Sequence, residues 1–164
     1  MDSFSKALNE LLVNTFHSIL KLEEDASRSI SGNRLSISEL HMLEAIRKEE
    51  VDKGRTITDL AQDLSITPPS VTVAINKLTE KGYVIKERGR ADGRQVHVLL
   101  TEEGRRAEAA HRFFHRQMVQ SIARDIKEEE REILLKGLQN LKAFFESQEE
   151  KAQADDGSRQ ERAE

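Results

Sequence analysis

The sequence predicts a mainly α fold with the element order α-α-α-α-β-β-α-α, and three observations support this prediction. Apolar residues recur every three or four positions over most of the 164 residues, which is the spacing of amphipathic helices. The chain contains only two prolines and eight glycines, so few residues interrupt these helices. Residues 83–100 instead alternate β-favouring and polar side chains around a glycine-bearing turn, and this pattern predicts a β-hairpin.

The composition excludes several classes of protein. The chain has no cysteine, which rules out a disulfide framework, a Cys-ligated zinc finger and a cysteine nucleophile. No stretch approaches the roughly 18 consecutive apolar residues of a membrane span, and the N-terminus lacks the apolar core of a signal peptide. We therefore expect a cytoplasmic protein without membrane contact.

The helices at the two ends of the chain carry broad apolar stripes. Helical spacing predicts a first helix at residues 4–26 and a last one at 128–147. Their stripes are wider than a domain of this size can cover, so we expect residues 4–26 and 101–147 to pair with a second copy in a homodimer. The acidic segment 148–164 lacks such a stripe and is predicted to be a disordered tail after a domain of residues 1–147.

The middle of the chain predicts a winged helix-turn-helix. Two short helices, at about 56–64 and 67–81, are joined by a tight turn, and Thr67 is a plausible N-cap of the second. This second helix has prolines in its first turn and a predicted inward stripe of Val71, Ala74, Ile75 and Leu78. The hairpin of residues 83–100 follows directly and forms the wing. Residues 55–100 therefore form the predicted DNA-binding lobe, with the helix-turn-helix at about 56–81.

One face of the second short helix has the side chains that a major-groove reader needs, which are short groups and hydrogen-bonding groups that reach base edges. Arginines at the hairpin tip can enter the minor groove, and Asp92 can orient one of their guanidinium groups. Residues 67–97 hold six bases against three acids, a local charge of +3, although the whole chain carries −4. The predicted DNA contacts are Thr67, Pro68, Pro69, Ser70, Thr72, Val73, Asn76 and Lys77 on the helix, with Arg88, Arg90, Asp92 and Arg94 on the wing.

The wing sequence resembles a known family. Asp92-Gly93-Arg94 followed by Leu100-Thr101 and Gly104 looks like the D-x-R-x-x-x-x-x-L-T-x-x-G signature of the MarR family, and Leu60-Ala61, Val71-Thr72, Leu78 and Lys81-Gly82-Tyr83 are similar to its helix-turn-helix. The resemblance implies a homodimeric transcriptional regulator, usually a repressor that a small ligand controls, and no enzyme. Two-fold symmetry would place two recognition helices about 34–36 Å apart on double-stranded DNA, which predicts a palindromic operator.

Within that family, three stretches resemble the repressors of bacterial fatty-acid synthesis genes. They are residues 37–41, 94–98 and 111–119. In that subgroup the effector is a long-chain acyl group on acyl carrier protein, so the resemblance implies this carrier as a partner and requires no cofactor. The corresponding candidates for an effector pocket are Phe16, Leu20, His41, Phe113, Phe114 and Met118, although aromatic and Met residues at helical spacing also fit a plain core.

The histidines leave alternatives open. His111 and His115 are four residues apart on one helix face, which suits a shared zinc ion. Zinc-sensing members of the MarR family use a Glu and His set in corresponding regions, so the resemblance implies Glu24, His41, His111 and His115 as a conceivable site. The same histidines could be solvated or line the effector pocket. A metal-dependent enzyme built on His111 and His115 is disfavoured because no H-E-x-x-H arrangement supplies a general base. A winged-helix protein that contacts only other proteins is expected to have a neutral wing, whereas this wing carries three arginines within residues 88–94.

Overall fold

The computed structural model describes residues 1–48, 54–88 and 95–160, with side chains up to 148 and at 151. The predicted mainly helical winged helix-turn-helix is confirmed, and each predicted helix and strand is present. The chain divides into two compact units, Met1–Gln117 and Met118–Glu164. The elements are α1 (Ser3–Ser31), α2 (Ile37–Arg47), β1 (Arg55–Thr56), α3 (Ile57–Asp63), α4 (Pro68–Glu80), β2 (Val84–Arg88), β3 (Val96–Leu100), α5 (Glu102–Arg124) and α6 (Glu128–Gln160).

The first unit contains the winged-helix core. Its antiparallel sheet has the order β1-β3-β2, and β1 pairs Arg55 with Val98. Strand β1 is not predicted by the sequence pattern, since two residues are too few to show alternation. Helix α4 buries Val71, Ile75 and Leu78 of the predicted stripe, while Ala74 is half-buried. The core also includes Leu40, Leu43, Ile46, Leu60, Tyr83, Val84, Val98 and Leu100.

The junction between β3 and α5 explains the spacing of the wing signature. The Thr101 hydroxyl donates to the carbonyl oxygen of Gly82 at 2.8 Å and accepts from the Gly104 N–H at 3.0 Å. The Thr101 N–H donates to the Tyr83 carbonyl at 3.0 Å. A Cβ atom at residue 104 would lie 2.1 Å from that Tyr83 oxygen, so only glycine fits there. These contacts lock the start of α5 onto the end of the helix-turn-helix.

Helices α1 and α6 expose apolar side chains in the single chain. Phe4 is 73% exposed and Phe16 60% exposed on α1, while Ile133 is 75% exposed on α6. No helix within the described residues is long and apolar enough to cross a bilayer. Other large exposed apolar residues are Leu8, Leu11, Leu12, Val13, Ile19 and Leu22 on α1, and Leu134, Leu135, Leu138, Phe144 and Phe145 on α6.

Two helices are longer than the sequence predicted. Helix α1 continues to Ser31, and the following Gly32, with a left-handed φ of 58°, is its C-cap. Helix α6 continues to Gln160, so the prediction that residues 148–164 are disordered is wrong for 148–160. The Gln, Glu, Lys and Ala residues at 148–154 have high helix propensity, and they extend the helix without an apolar stripe. The remaining residues, 161–164, lie outside the described residues.

Candidate nucleic-acid interface and histidine cluster

The start of α4 is held by side chains that sequence reasoning identified. The Thr67 side chain accepts from the Ser70 N–H at 3.4 Å, and Pro68 and Pro69 occupy the first two helical positions, where no intrahelical N–H is required. The turn before it contains Ser65 with a φ of +52°, and the Ile66 N–H donates to the Ala61 carbonyl at 3.0 Å. This turn fixes the angle at which α4 leaves α3.

The face of α4 opposite the core is open to solvent. All eight predicted contact residues on this helix and its cap, from Thr67 to Lys77, are exposed, and Val73 is 54% exposed. The Thr72 hydroxyl donates to the Pro68 carbonyl at 3.0 Å, so its oxygen keeps only acceptor capacity toward a ligand. The face therefore offers short side chains with hydroxyl, amide, methyl and ammonium groups, which is the set that base edges recognise. We name the exposed residues Thr67–Lys77 the α4 face.

A side-chain contact joins the wing to this surface. The Lys86 ammonium, on β2, donates to the Asn76 side-chain carbonyl on α4. Arg88 is exposed at the end of β2, where it pairs with Val96 of β3. The predicted contacts Arg90, Asp92 and Arg94 lie outside the described residues and stay predictions.

Arg55 links the helix-turn-helix to α2, a role that no local sequence pattern predicts. It is 6% exposed, and its guanidinium donates to the Ala45 carbonyl at 2.9 Å and to the Asp63 carboxylate at 3.0 Å. The Lys48 ammonium also donates to Asp63, at 3.0 Å, and with Arg55 it lowers the pKa of this carboxyl group. The carboxylate is thus fixed in its charged form between α2 and α3.

A second ion pair joins α2 to the end of α4. The Lys81 ammonium lies 2.7 Å from the Glu39 carboxylate, while Glu39 also accepts from the Ser36 N–H in a capping box. Burial raises the pKa of Glu39, but the hydrogen bonds from Lys81 and Ser36 outweigh it and leave this pKa lowered. Helix α2 therefore contacts α4 at its C-terminal end.

Three histidines and one glutamate from helices α1, α2 and α5 lie close together. The Glu23 carboxylate of α1 lies 3.6 Å from Nε2 of His41 and 3.5 Å from Nε2 of His115. Nε2 of His115 lies 3.1 Å from Nε2 of His111. One ligand atom from each of the four residues lies within 4.8 Å of every other. We name Glu23, His41, His111 and His115 the histidine cluster.

The structure corrects one member of the predicted set. Glu24 is exposed, whereas Glu23 is 6% exposed and faces the histidines, so the placement of Glu24 in this set is wrong. Successive residues on a helix point about 100° apart, and a Glu-Glu pair in sequence does not show which one faces inward. The predicted positions of His41, His111 and His115 in one group are confirmed, while metal binding itself stays a prediction.

Burial sets the charge of His111. The residue is 1% exposed, and burial, with smaller contributions from His115 and His41, lowers its pKa to about 4. His111 is therefore neutral at pH 7, which is the form that binds a metal ion. Its Nδ1 lies 3.8 Å from the Glu44 carboxylate of α2, the kind of acidic group that orients metal-bound histidines.

The distances within the cluster fit a tetrahedral cation. A zinc ion with bonds of about 2.0–2.1 Å to nitrogen and oxygen separates its ligand atoms by about 3.4 Å. Three of the six separations, at 3.1, 3.5 and 3.6 Å, lie close to this value, and all six are within 4.8 Å. The donor set of three imidazoles and one carboxylate also suits zinc. A bound cation would in addition compensate the charge of the buried Glu23.

The predicted effector pocket is brought together only in part. The Phe114 ring stacks near His111 at 6.5 Å between centroids and meets His115 edge-on at 5.4 Å. Phe16 and Phe113 are 60% and 57% exposed. Leu20, His41 and Met118 are half-buried, and Met118 belongs to the second compact unit. The pocket itself stays a prediction.

A known family matches the part of the chain that contains the winged helix-turn-helix. The family model described as "Transcriptional regulator SarA/Rot" matches residues 27–110. A curated relative, the "Uncharacterized HTH-type transcriptional regulator YwhA" of Bacillus subtilis (strain 168), is 35% identical over 52 residues. This match covers 32% of the chain and 37% of the relative, so the chain spans little more than a third of that protein's length.

Solved structures match over much longer stretches. FabT of Streptococcus pneumoniae, solved in complex with DNA, is 34% identical, with a TM-score of 0.80 over 87% of this chain and 98% of that chain. A MarR family transcription regulator has a TM-score of 0.74 over 89% of this chain and 92% of that chain. Its identity of 15% shows likeness of fold alone.

Proposed function

The chain belongs to the SarA/Rot family of transcriptional regulators, whose winged helix-turn-helix is of the MarR type, and on this basis we propose that it binds operator DNA as a homodimer and represses transcription. The resemblance to the MarR family drawn from the wing signature is confirmed. The proposed activity is binding without catalysis.

The observation that carries this proposal is the full exposure of the α4 face. Each predicted major-groove contact from Thr67 to Lys77 is exposed, while the opposite side of α4 is completely buried in the core. A rigid helix with one free polar face beside a basic wing strand fits the groove of a duplex. The 34% identity to FabT, which was solved with DNA, supports the same use of this surface.

The exposed apolar faces of α1 and α6 support a homodimer. Phe4, Leu8 and Leu11, on successive turns of α1, are 42–73% exposed. An apolar surface of this length in an isolated chain is covered economically by a second copy. Light scattering should give twice the chain mass of 18.7 kDa at micromolar concentration, and a monomer would contradict the dimer.

The operator can be found by selection of genomic fragments with the purified protein. We expect enriched fragments to contain an inverted repeat with half-sites about one helical turn apart, since a two-fold dimer presents two α4 faces. A fluorescence anisotropy titration then gives the affinity of each fragment. Recovery of fragments at random, with equal affinity for all, would contradict sequence-specific binding.

We propose fatty-acid synthesis genes as targets and an acyl chain on acyl carrier protein as the effector. The support is the resemblance of residues 37–41, 94–98 and 111–119 to that subgroup, together with the identity to FabT. An effector changes operator occupancy only if it binds the two dimer conformations unequally. Operator affinity measured with acylated and unacylated carrier protein tests this, and equal affinity at every chain length would contradict it.

A second candidate function is a zinc-responsive regulator, and the histidine cluster is the observation that favours it. Four ligand atoms from three helices lie within 4.8 Å, and two of the four residues are buried. Bound zinc would tie α1, α2 and α5 together at one point. Because α2 also holds α4 through Glu39 and Lys81, such a tie can change the position of the α4 face.

Adjacent glutamates provide a matched test of this second function. Calorimetry with zinc under chelator competition should give a heat in the wild type and in Glu24→Gln, but little in Glu23→Gln, since only Glu23 lies in the cluster. Tetrahedral cobalt(II) spectra would report the same site independently of DNA. No heat above that of the chelator itself would contradict zinc binding, and equal loss in both variants would contradict the role of Glu23.

A further inference from the structure

The contact between Lys86 and Asn76 fixes the hydrogen-bonding character of the α4 face near the wing. A lysine ammonium has three donors and no acceptor, so the atom of the Asn76 amide that it contacts must be the carbonyl oxygen Oδ1. The Asn76 amino group, Nδ2, has no hydrogen-bond partner among the described residues and can donate to a ligand. Both side chains are exposed, so the pair faces solvent where the proposed duplex would lie.

Building on the proposed DNA-binding function, we infer that this pair makes Asn76 select guanine in each operator half-site. An isolated asparagine favours adenine, because its Oδ1 accepts from the adenine N6 amino group while its Nδ2 donates to N7. Here one lone pair of Oδ1 accepts from Lys86, and the ammonium beside it disfavours the approach of a second donor, such as the adenine amino group, to the other lone pair. The pair therefore presents a row of donors, which are Nδ2 of Asn76 and the remaining protons of the Lys86 ammonium.

A row of donors matches the major-groove edge of guanine. Guanine presents two adjacent acceptors, N7 and O6, whereas adenine presents one acceptor next to a donor. An adenine N6 amino group facing the Lys86 ammonium would leave two donors opposed and desolvated, which costs affinity. The positive charge of Lys86 further favours the acceptor-rich edge. The wing strand thus determines how a residue of the recognition helix reads the base.

Two lysine variants provide the test. Lys86→Met removes the contact to Asn76, whereas Lys77→Met removes one exposed charge from the α4 face and leaves Asn76 and Lys86 in place. Each loses one positive charge, so both should bind the selected operator more weakly and with a smaller salt dependence. Only Lys86→Met should change which base is preferred, because it alone releases Oδ1.

The measurement is the relative affinity of wild type, Lys86→Met, Lys77→Met and Asn76→Ala for operators with all four bases at each position. We expect one position per half-site where wild type and Lys77→Met bind guanine about tenfold more tightly than adenine. There Asn76→Ala should discriminate least, and Lys86→Met should bind adenine as well as or better than guanine. Identical base profiles for Lys86→Met and Lys77→Met, or an adenine preference in the wild type, would overturn the inference. If wild type selects no sequence at all, the proposed function fails, and this inference fails with it.

Discussion

The α4 face and the histidine cluster are both polar groups of side chains on helices of the first compact unit, yet they differ in exposure. The α4 face is open along its whole length, from Thr67 to Lys77. In the cluster, Glu23 is 6% and His111 1% exposed, and the side chains point at one another. Because an open face can meet a large rigid partner and an inward group can hold only something small, the two regions suit a duplex and an ion, respectively.

Helix α2 connects the two regions. Its His41 belongs to the cluster, and its Glu39 holds Lys81 just after α4. The same helix packs Leu40, Leu43 and Ile46 into the core that supports α4. A difference in the packing of α2 between two states would therefore change the position of the α4 face. Variants that affect one region alone test whether the two regions are coupled.

The largest effect is expected at the frame that both regions share. Gly104→Ala would place a Cβ atom 2.1 Å from the Tyr83 carbonyl oxygen, so the free energy of unfolding should fall by about 3 kcal/mol. Urea denaturation measures this change. The control Gly137→Ala meets no atom within 4 Å on α6 and should gain up to about 1 kcal/mol from helix propensity. Equal unfolding midpoints for the two variants would show that the β3–α5 junction is not a tight contact.

Acid should affect the cluster before it affects the rest of the first unit. The pKa of His111 is lowered to about 4 in the folded protein, against about 6.5 in the unfolded chain. The unfolded state therefore binds the proton first, and stability should fall as the pH drops from about 6.5 to 4, by at most about 1.4 kcal/mol per pH unit. The carboxyl groups of Glu39, Asp59 and Asp63 also have lowered pKa values. Their contribution to the free energy of unfolding is lost only at lower pH, below the ordinary pKa of a carboxyl group.

The variant His111→Asn isolates this titration. Thermal unfolding in the presence of a chelator, compared between wild type and His111→Asn at pH 7.0 down to about pH 5, should show a flatter pH dependence in the variant. Parallel curves for the two proteins would mean that His111 is not buried in its neutral form.

The N-cap of α4 should contribute about 1 kcal/mol. Thr67→Ala removes the acceptor for the Ser70 N–H, so the free energy of unfolding should fall by that amount. Thr67→Ser keeps a hydroxyl at the cap and should restore most of the loss. If both variants unfold with the alanine midpoint, the threonine methyl group and not the hydroxyl stabilises this turn.

The smallest effect is expected at the link between α2 and α4. Lys81→Met removes the ion pair with Glu39 and should cost about 0.5–1 kcal/mol, since Lys81 remains partly exposed. The control Lys142→Met breaks an exposed pair with Glu146 on α6 and should cost less than about 0.5 kcal/mol. An equal, negligible change in both would remove the proposed connection between the cluster and the α4 face.

Sequence reasoning predicted the features that depend on local pattern. The N-cap at Thr67, the prolines of the first turn and the stripe of Val71, Ile75 and Leu78 all lie within one helix, so their spacing alone predicts them. The alternation of side chains predicted the hairpin. The wing signature included Thr101 and Gly104, but their contacts with each other and with Tyr83 are seen only in the structure.

The features that sequence reasoning missed depend on residues far apart in the chain. Which of Glu23 and Glu24 faces the histidines depends on how α1 is rotated against α2, and no local pattern reports that angle. The contacts of Lys86 with Asn76 and of Lys81 with Glu39 join separate elements. Helix α6 continues past residue 147 through helix propensity, without the apolar stripe on which the prediction depended.

The most direct test of the central claim, that the α4 face binds DNA, is an anisotropy titration of Asn76→Ala on the selected operator. We expect a loss of about 1–3 kcal/mol in binding free energy with an unchanged unfolding midpoint, because Asn76 is exposed. The control Asn140→Ala, at an exposed position of α6, should bind as the wild type does. Wild-type affinity in Asn76→Ala, or an equal loss in Asn140→Ala, would contradict the claim.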